Sequence, residues 1–244
     1  MDYLIIGSGL AGISFAEQVA LNGRSFIMID DDSQKSSTVA GGLYNPVILK
    51  RFTSVWKSDE QLELAKTFYA TLENKLEIKL DHKIPIYRLF NSIEEQNNWF
   101  LASDKPRLSR YMLDELVTYE NKWINSSYGY GQVLHTGRID APKLIKYYKT
   151  YLKKQDRLIE SSFDHKDLKI GTSHVEYKSI TASKVIFAEG FGLKINPFFK
   201  DLPLNGSKGE LLTIHAPDLK IDFILKAGVF LIPLGDDQYI VGAT

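Results

Sequence analysis

The amino-acid sequence predicts an α/β protein in which a domain built on a parallel sheet is interleaved with a mainly antiparallel one. Three observations lead to this prediction: a strand, helix, strand pattern within residues 3–29, a change to strand-like texture after about residue 81, and a helical pattern that returns near residue 140. The 244 residues correspond to about 1.6 average domains, which allows two lobes or one large unit.

Composition and charge are those of an ordinary globular chain. Hydrophobic residues make up 44% and charged residues 25%, which excludes a disordered or collagen-like protein. Thirty Lys and Arg residues balance thirty Asp and Glu residues, so no net field attracts nucleic acid or an anionic membrane. We therefore expect no nucleic-acid partner, and any partner must be recognised locally.

Cysteine is absent, which excludes a disulfide framework, a thiolate metal site and a cysteine nucleophile within these residues. A reducing compartment is compatible with this composition, and we expect a cytoplasmic protein.

The apolar stretch 4–15 follows Asp2 instead of basic residues, so we interpret it as the start of the fold and not as a secretory signal. No other apolar run reaches about 18 residues, and we expect no transmembrane segment. The five histidines show no ligand spacing, so no metal site is predicted.

The first elements form one βαβ unit. Residues 3–6 are a continuous apolar run, as in a parallel strand buried on both faces. The apolar residues that follow have helical spacing up to Asn22 and Gly23, which form a helix stop. Residues 26–29 are a second apolar strand, closed by Asp30.

Three further helices are predicted from caps and periodicity. Ser58 and Gln61 suggest a capping box for a helix that runs to about residue 80, and Ser92 with Glu95 suggests the cap of a short one. A third helix spans 140–154; its lysine-rich face is best explained as a solvated surface.

The remaining segments are strands and loops. Residues 33–47 are rich in Ser and Gly and predict an ordered loop. The predicted strands are 85–90, 128–135, 158–163, 174–177, 184–188, 210–215, 223–225, 229–232 and 238–241. Since no internal repeat and no flexible linker separates these segments, a second domain must be woven into the first.

A glycine-rich loop joins the first strand to the first helix. Its residues are Gly7, Ser8, Gly9, Leu10, Ala11 and Gly12. In this position the G-x-G-x-x-G spacing suits a tight turn, backbone contact with a pyrophosphate, and close packing of helix on strand. Asp30, at the end of the second strand, could accept hydrogen bonds from a ribose. The motif indicates a dinucleotide, and by itself it does not separate NAD from FAD.

The loop after the second strand carries a second motif. Its residues are Ala40, Gly41, Gly42, Leu43, Tyr44, Asn45 and Pro46. They resemble the Ala-Ala-Gly-Met-hydrophobic-Ala-Pro signature of the FAD-dependent oxidoreductases of the D-amino acid oxidase, glycine oxidase and sarcosine oxidase family. Four later segments, 137–140, 184–190, 208–211 and 230–244, are similar to landmarks of that family in the same order.

The resemblance implies a glutathione-reductase-like, Rossmann-type FAD-binding domain formed by 1–81 and 138–203, and a substrate domain formed by 82–137 and 204–244. It also implies FAD as cofactor, and oxidation of the C–N bond of a D-amino acid, glycine or N-methyl amino acid by hydride transfer to the flavin. The cofactor contacts that it implies are Gly7, Ser8, Gly9, Leu10, Ala11, Gly12, Asp30, Asp31, Ala40, Gly41, Gly42, Leu43, Phe163, Ala188, Glu189 and Gly190.

Some residues depart from the family pattern. Glu189 stands where a small residue is usual, and its carboxylate would repel a pyrophosphate unless it turns away. Lys208 replaces an arginine, and Leu234 replaces a basic residue. The family continues past a Gly-Ala-Thr hairpin, so we expect a shortened chain that lacks part of the substrate site.

Within these residues, Arg51 and Tyr44 are the candidate substrate contacts. The planar guanidinium of Arg51 suits a carboxylate, although a structural or surface role competes with this interpretation, and Tyr44 is expected to be a wall of the flavin pocket. Asp164 and His165 are expected to form a solvated turn.

Two alternatives to an amine-oxidising flavoenzyme stay open. One is an NAD(P)-binding dehydrogenase, which explains the glycine loop but not the later motifs. The other is a catalytically inert flavin-binding fragment.

Overall fold

The computed structural model of the protein describes residues 1–242. Ala243 and Thr244, which end the predicted Gly-Ala-Thr hairpin, lie outside the described residues. The helices are α1 (Leu10–Leu21), α2 (Ser36–Val39), α3 (Ser58–Leu76), α4 (Ile93–Ser103) and α5 (Ala141–Lys153). The strands are β1 (Tyr3–Ile6), β2 (Phe26–Asp30), β3 (Leu43–Tyr44), β4 (Val47–Ile48), β5 (Thr53–Ser54), β6 (Asp81–Lys83), β7 (Ile86–Leu89), β8 (Tyr130–Val133), β9 (Gly137–Ile139), β10 (Leu158–Glu160), β11 (Leu168–Ile170), β12 (Val175–Tyr177), β13 (Ile180–Ala182), β14 (Lys184–Phe187), β15 (Leu212–His215), β16 (Ile224–Lys226), β17 (Phe230–Gly235) and β18 (Gln238–Gly242).

The described residues form two compact units. The first unit comprises Met1–Ala40 and Ala141–Lys208, and the second comprises Gly41–Asp140 and Gly209–Thr244. The chain therefore passes between the two units three times.

The first unit is built on a four-stranded parallel sheet with the order β10, β2, β1, β14. β1 lies in the middle, and its residues Leu4 and Ile5 are fully buried, as the continuous apolar run predicts. α1 buries Ile13, Ala16 and Val19 on one side, which are the positions that its helical spacing places together. The predicted βαβ unit is thus confirmed. A small antiparallel sheet of β11, β12 and β13 completes this unit.

A buried polar contact joins α1 to α5 within the first unit. The hydroxyl of Tyr148 donates to the carboxylate of Glu17 over 2.8 Å, and each residue is only 1% exposed. The acceptor and burial raise the pKa of Tyr148 well above its usual range, so the phenol stays a donor. A carboxylate this deep is tolerated only because it is hydrogen-bonded.

The second unit is mainly antiparallel. Its six-stranded sheet has the order β15, β18, β17, β16, β7, β8, and only the pairing of β16 with β7 is parallel. Trp99 of α4 packs directly on β8, where a Cβ added at Gly131 would lie 2.4 Å from the indole ring. The indole N–H donates to Leu113 over 2.9 Å, so the buried ring leaves no unpaired donor. With this sheet, the predicted fold class is confirmed.

Residues 41–81 cluster with the second unit, whereas the sequence assigns them to the FAD-binding domain. The physical reason is strand pairing, because β3 and β6 both pair with β9. The boundaries of the functional domains stay a prediction.

Helix ends follow the predictions in part. Ser92 caps α4 as predicted, and its Oγ accepts from the backbone N–H of Glu95 over 3.1 Å. The capping box expected at Ser58 does not form, because the residue before α3 is Lys57 in a left-handed conformation. α3 also ends at Leu76 instead of near residue 80, since Glu77 turns left-handed.

We expect Tyr148→Phe to lower the free energy of unfolding by about 1–3 kcal/mol, because the buried carboxylate of Glu17 loses a hydrogen bond while the packing volume stays the same. Urea denaturation followed by circular dichroism measures the change. Tyr147→Phe is the matched control, since Tyr147 is 42% exposed on the same helix. Equal losses in the two variants would contradict the prediction.

Candidate functional site

The glycine loop brings three backbone segments unusually close together. A Cβ added at Gly12 would lie 2.0 Å from the carbonyl oxygen of Gly7, and one added at Gly7 would lie 2.4 Å from that of Ala188. Gly7 also has a φ of +102°, which favours glycine. These distances leave no room for a side chain, and they place the amino terminus of α1 beside the carboxyl ends of β1 and β14.

The amino terminus of α1 presents backbone donors. Its N-cap, Gly9, has no side chain with which to cap the helix. Ser37 lies opposite, and its Oγ accepts from the N–H of Leu10 over 3.3 Å. A helix start with accessible N–H groups and a partial positive charge suits an anion such as a diphosphate.

The carboxylate of Asp30 is fixed at the end of β2. One of its oxygens accepts from the N–H of Ser8 over 3.1 Å, and the other lies 2.6 Å from Nζ of Lys149. Burial works to lower the pKa of Lys149, but its hydrogen bonds to Asp30 and Asp32 prevail and raise it. The predicted solvated face of α5 therefore contains one lysine that is 14% exposed and pairs with two aspartates.

A cavity of about 560 Å³ opens at this edge of the parallel sheet, within the first unit. The predicted cofactor contacts that line it are Gly7, Ser8, Gly9, Leu10, Ala11, Asp30, Asp31, Phe163, Ala188, Glu189 and Gly190. Carboxyl ends of parallel strands are the usual place for a ligand in this type of sheet. A cavity of this volume falls within the range of roughly 300–1,000 Å³ for small-molecule and cofactor sites.

An aromatic cluster forms one wall of the cavity. Phe163 stacks on Tyr177 with ring centroids 4.3 Å apart and meets Phe187 edge-on at 5.9 Å. His165 stacks on Phe187 at 5.7 Å, and its side chain is only 14% exposed. The solvated turn expected from the sequence holds for Asp164, Lys166 and Asp167, which are exposed. It is wrong for the imidazole of His165, which packs between Phe163 and Phe187.

Glu189 faces this wall with both carboxylate oxygens occupied. His165 Nε2 lies 3.0 Å from Oε1, and Nδ2 of Asn196 donates to Oε2 over 2.6 Å. The side chain thus turns towards protein partners. The sequence predicts that the Glu189 carboxylate would repel a pyrophosphate unless it turned away, and the structure shows it bonded to His165 and Asn196.

The other predicted cofactor contacts lie elsewhere. Gly12 packs against Gly7 and does not line the cavity. Gly41 and Gly42 belong to the second unit, where a Cβ added at Gly42 would lie 2.0 Å from the carbonyl oxygen of Ile139. The roles of Ala40, Gly41, Gly42 and Leu43 as flavin contacts stay a prediction.

Tyr44 has its hydroxyl committed within the second unit. The hydroxyl donates to Asp81 over 2.8 Å and accepts from Nζ of Lys83 over 2.9 Å. Burial raises the pKa of Tyr44 to about 12, with the Lys83 hydrogen bond opposing and Asp81 adding to the rise. Tyr44 is therefore a poor general acid at neutral pH, and its role as a wall of the flavin pocket stays a prediction.

Arg51 is exposed at a groove of the second unit of about 510 Å³. Lys50 and Lys105 line the same groove, as do Glu94 and Glu95. The groove thus combines cations with carboxylates, and the geometry does not single out Arg51 as an anion site.

Residues 1–242 contain neither a metal-binding cluster nor a membrane-spanning helix. There, no three His, Cys, Asp or Glu side chains come together in a group that could hold a metal ion. No helix in the same range has the length and apolar character needed to cross a membrane.

The sequence model of the family described as FAD dependent oxidoreductase (DAO) matches residues 2–244. The chain belongs to this family. It is an FAD-dependent oxidoreductase, and the alternative of an NAD(P)-binding dehydrogenase is wrong because the family takes FAD.

Solved structures of similar fold include two glycine oxidases. The one from Geobacillus kaustophilus has a TM-score of 0.75 and 16% identity over 100% of this chain and 70% of that chain. The one from Bacillus cereus ATCC 14579 has a TM-score of 0.73 and 19% identity over 100% of this chain and 72% of that chain. Iminodiacetate oxidase from Chelativorans sp. BNC1 has a TM-score of 0.71 and 17% identity over 99% of this chain and 71% of that chain. At these identities the likeness shows the fold.

The cavity of this FAD-dependent oxidoreductase has the features that an FAD dinucleotide requires. The glycine loop has no Cβ where a diphosphate must approach backbone, and the start of α1 supplies N–H groups. Asp30 is fixed at the strand end where a ribose would bind. The residues present therefore fit the adenosine and diphosphate parts of the cofactor.

Three residues near the cavity have no predicted role in a site on sequence grounds: Ser37, Lys149 and His165. Ser37 lies in a Ser-rich stretch that only predicted a loop, so its contact with Leu10 had no local signal. Lys149 was one of several lysines on a helix, and the partner that distinguishes it is remote in sequence. His165 is distinguished only by its contact with Glu189, which is 24 residues away in the sequence.

Gly12→Ala is expected to abolish stable FAD retention, because its Cβ would force α1 away from the carbonyl of Gly7. FAD content is measured by visible absorbance of the purified variant. Gly228→Ala is the control, since a Cβ there meets nothing within 4 Å. Normal FAD content in Gly12→Ala would show that close packing at this loop is not required.

Tyr44 is expected to ionise near pH 12, well above its ordinary value of 10.0. Because the folded-state pKa is raised, the contribution of Tyr44 to stability is fully present below pH 10.0 and is lost as the pH rises towards about 12. The ultraviolet absorbance is recorded against pH for the wild type and for Tyr44→Phe. The difference between the two curves isolates the ionisation of Tyr44. Asp81→Asn should lower the Tyr44 pKa, and an unchanged value would contradict the assigned role of Asp81.

Proposed function

We propose that this protein oxidises the C–N bond of an amino acid or related small amine, with hydride transfer to FAD. The observation that carries the proposal is the single cavity that gathers the glycine loop, Asp30 and the end of β14 in a chain of the FAD-dependent oxidoreductase family. The names of its structural neighbours support the substrate class, since glycine and iminodiacetate are small amines that carry carboxylates.

The chain's own residues would bind and orient the cofactor. The N–H groups at the start of α1 would face the diphosphate, and the carboxylate of Asp30, held by Lys149, would accept from ribose hydroxyls. Phe163 would border the nucleotide on the aromatic side of the cavity. When bound, FAD supplies the acceptor for the hydride.

Substrate recognition is proposed to involve a carboxylate. Arg51 is the candidate contact in the second unit, on the strength of its planar guanidinium, and Tyr44 is the candidate wall. A cytoplasmic location is also a proposal, since a chain without cysteine is compatible with a reducing compartment.

Anaerobic addition of the right amine should bleach the visible absorbance of the FAD-loaded protein, because the flavin becomes reduced. The panel contains glycine, sarcosine, iminodiacetate and several D-amino acids, each added without oxygen. Glycolate and L-α-glycerophosphate serve as controls that offer a C–O bond instead of a C–N bond.

Bleaching by a member of the amine panel and not by the controls supports the proposal. Bleaching by the hydroxyl compounds alone would overturn the substrate class while leaving the oxidoreductase assignment in place. Full FAD loading with no reduction by any compound would favour the inert flavin-binding fragment.

A further inference from the structure

The charges that line the cavity are unbalanced towards the acidic side. Four carboxylate residues line it, and in the described part of the chain no Lys or Arg does. Those four residues are Asp30, Asp31, Asp32 and Glu189. FAD carries an anionic diphosphate, so any of these carboxylates left without a partner would oppose its binding through like-charge repulsion.

Each of the three aspartates has an ion-pair or hydrogen-bond partner that stabilises its negative charge. Asp30 and Asp32 pair with Lys149, whose Nζ lies 2.6 Å from the first and 3.3 Å from the second. Asp31 accepts from the N–H of Ser33 over 3.0 Å and from the hydroxyl of Ser162 over 2.9 Å, and hydrogen bonds from Ser33 and then Ser162 lower its pKa. These three acids lie at the end of β2, on the side expected to face a ribose.

Glu189 lies on the other side of the cavity, directly after β14, where the close approach of Ala188 to the glycine loop places it near the start of α1. Its partners are His165, at 3.0 Å from one oxygen, and Asn196, at 2.6 Å from the other. A carboxylate only accepts hydrogen bonds, so Nε2 of His165 must carry the hydrogen.

Both partners are held in place by the surrounding fold. The His165 ring is stacked on Phe187 at 5.7 Å and meets Phe163 edge-on at 5.2 Å. Asn196 is fully buried, and its Oδ1 accepts from the N–H of Phe198 over 2.8 Å. Neither side chain is free to follow Glu189 if its carboxylate turns into the cavity.

We propose that His165 and Asn196 form a latch that holds the Glu189 carboxylate away from the path of the cofactor diphosphate. Glu189, His165 and Asn196 are positioning residues in this scheme, because they act on the charge of the cavity without being required to touch the cofactor. The latch explains how the cavity accommodates a fourth carboxylate that no Lys or Arg of its described lining balances. The proposal rests on FAD occupying this cavity.

The test is titration of the apoprotein with FAD, followed by flavin fluorescence. His165→Leu keeps the bulk of the ring and removes its donor, and we expect the FAD dissociation constant to rise about tenfold or more. Glu189→Gln removes the charge and should bind FAD as well as the wild type or more tightly. The double variant, which lacks both donor and charge, should recover binding to within about threefold of the wild type.

The chain offers a matched control in a second histidine and glutamate pair. His174 Nε2 lies 3.2 Å from Glu176 on β12, and both side chains are about half exposed and do not line the cavity. His174→Leu should leave the FAD dissociation constant unchanged.

Salt dependence separates repulsion from simple loss of packing. The defect of His165→Leu should shrink as ionic strength rises, because salt screens the freed carboxylate. A defect that the double variant does not repair, and that salt does not reduce, would overturn the latch and leave His165 as a packing residue.

Two other results would also overturn the proposal. One is unchanged FAD affinity in His165→Leu, and the other is a loss of affinity in Glu189→Gln, which would make the carboxylate itself a cofactor ligand. If His165→Leu does not fold, as judged by circular dichroism, the nearly isosteric Glu189→Gln still tests the latch: tighter binding supports it, and a loss of affinity overturns it. If the wild type itself does not bind FAD, the assignment of the cavity as the FAD site is wrong. That result differs from those that overturn only the latch, so the two failures are distinguishable.

Discussion

The close approach of β1, α1 and β14 at the glycine loop is the constraint on which the first unit depends. A carbon atom at Gly7 or Gly12 would overlap backbone oxygen, so the strand, the helix and the returning strand can meet only where the sequence has glycine. This contact fixes the start of α1 at the edge of the sheet, and with it the direction in which the helix N–H groups point. The cavity, the position of Asp30 and the position of Glu189 all follow from that edge.

The described lining of the cavity contains four carboxylate residues and no Lys or Arg, so the partners of those carboxylates determine its charge. Instead of cationic side chains, the described lining offers a diphosphate the backbone donors of the glycine loop and the start of a helix. Such a site has little tolerance for an unpaired carboxylate. The partners of Asp30 and Glu189 come from distant parts of the chain, and the charge of the cavity depends on them as much as its shape depends on the glycine loop.

Local features were predictable from the sequence, and contacts between distant segments were not. The βαβ unit and the Ser92 cap depend on residues within a few positions of each other, so periodicity and cap chemistry reveal them. The capping box predicted at Ser58 does not form, since the residue at the start of α3 is Lys57 in a left-handed conformation. The partners of Asp30 and Glu189 lie outside any local window, and no propensity indicates them.

The pairing of β1 with β14 has a consequence for synthesis of the chain. Tyr3 of β1 lies beside Lys184 of β14 in the sheet. β1 therefore cannot pair with β14 until about 180 further residues have been synthesised. During that interval most of the second unit emerges. One edge of β1 can pair with β2, while the edge that will pair with β14 stays open. A nascent chain of this topology therefore has an unpaired strand edge for longer than a fold built from local contacts would.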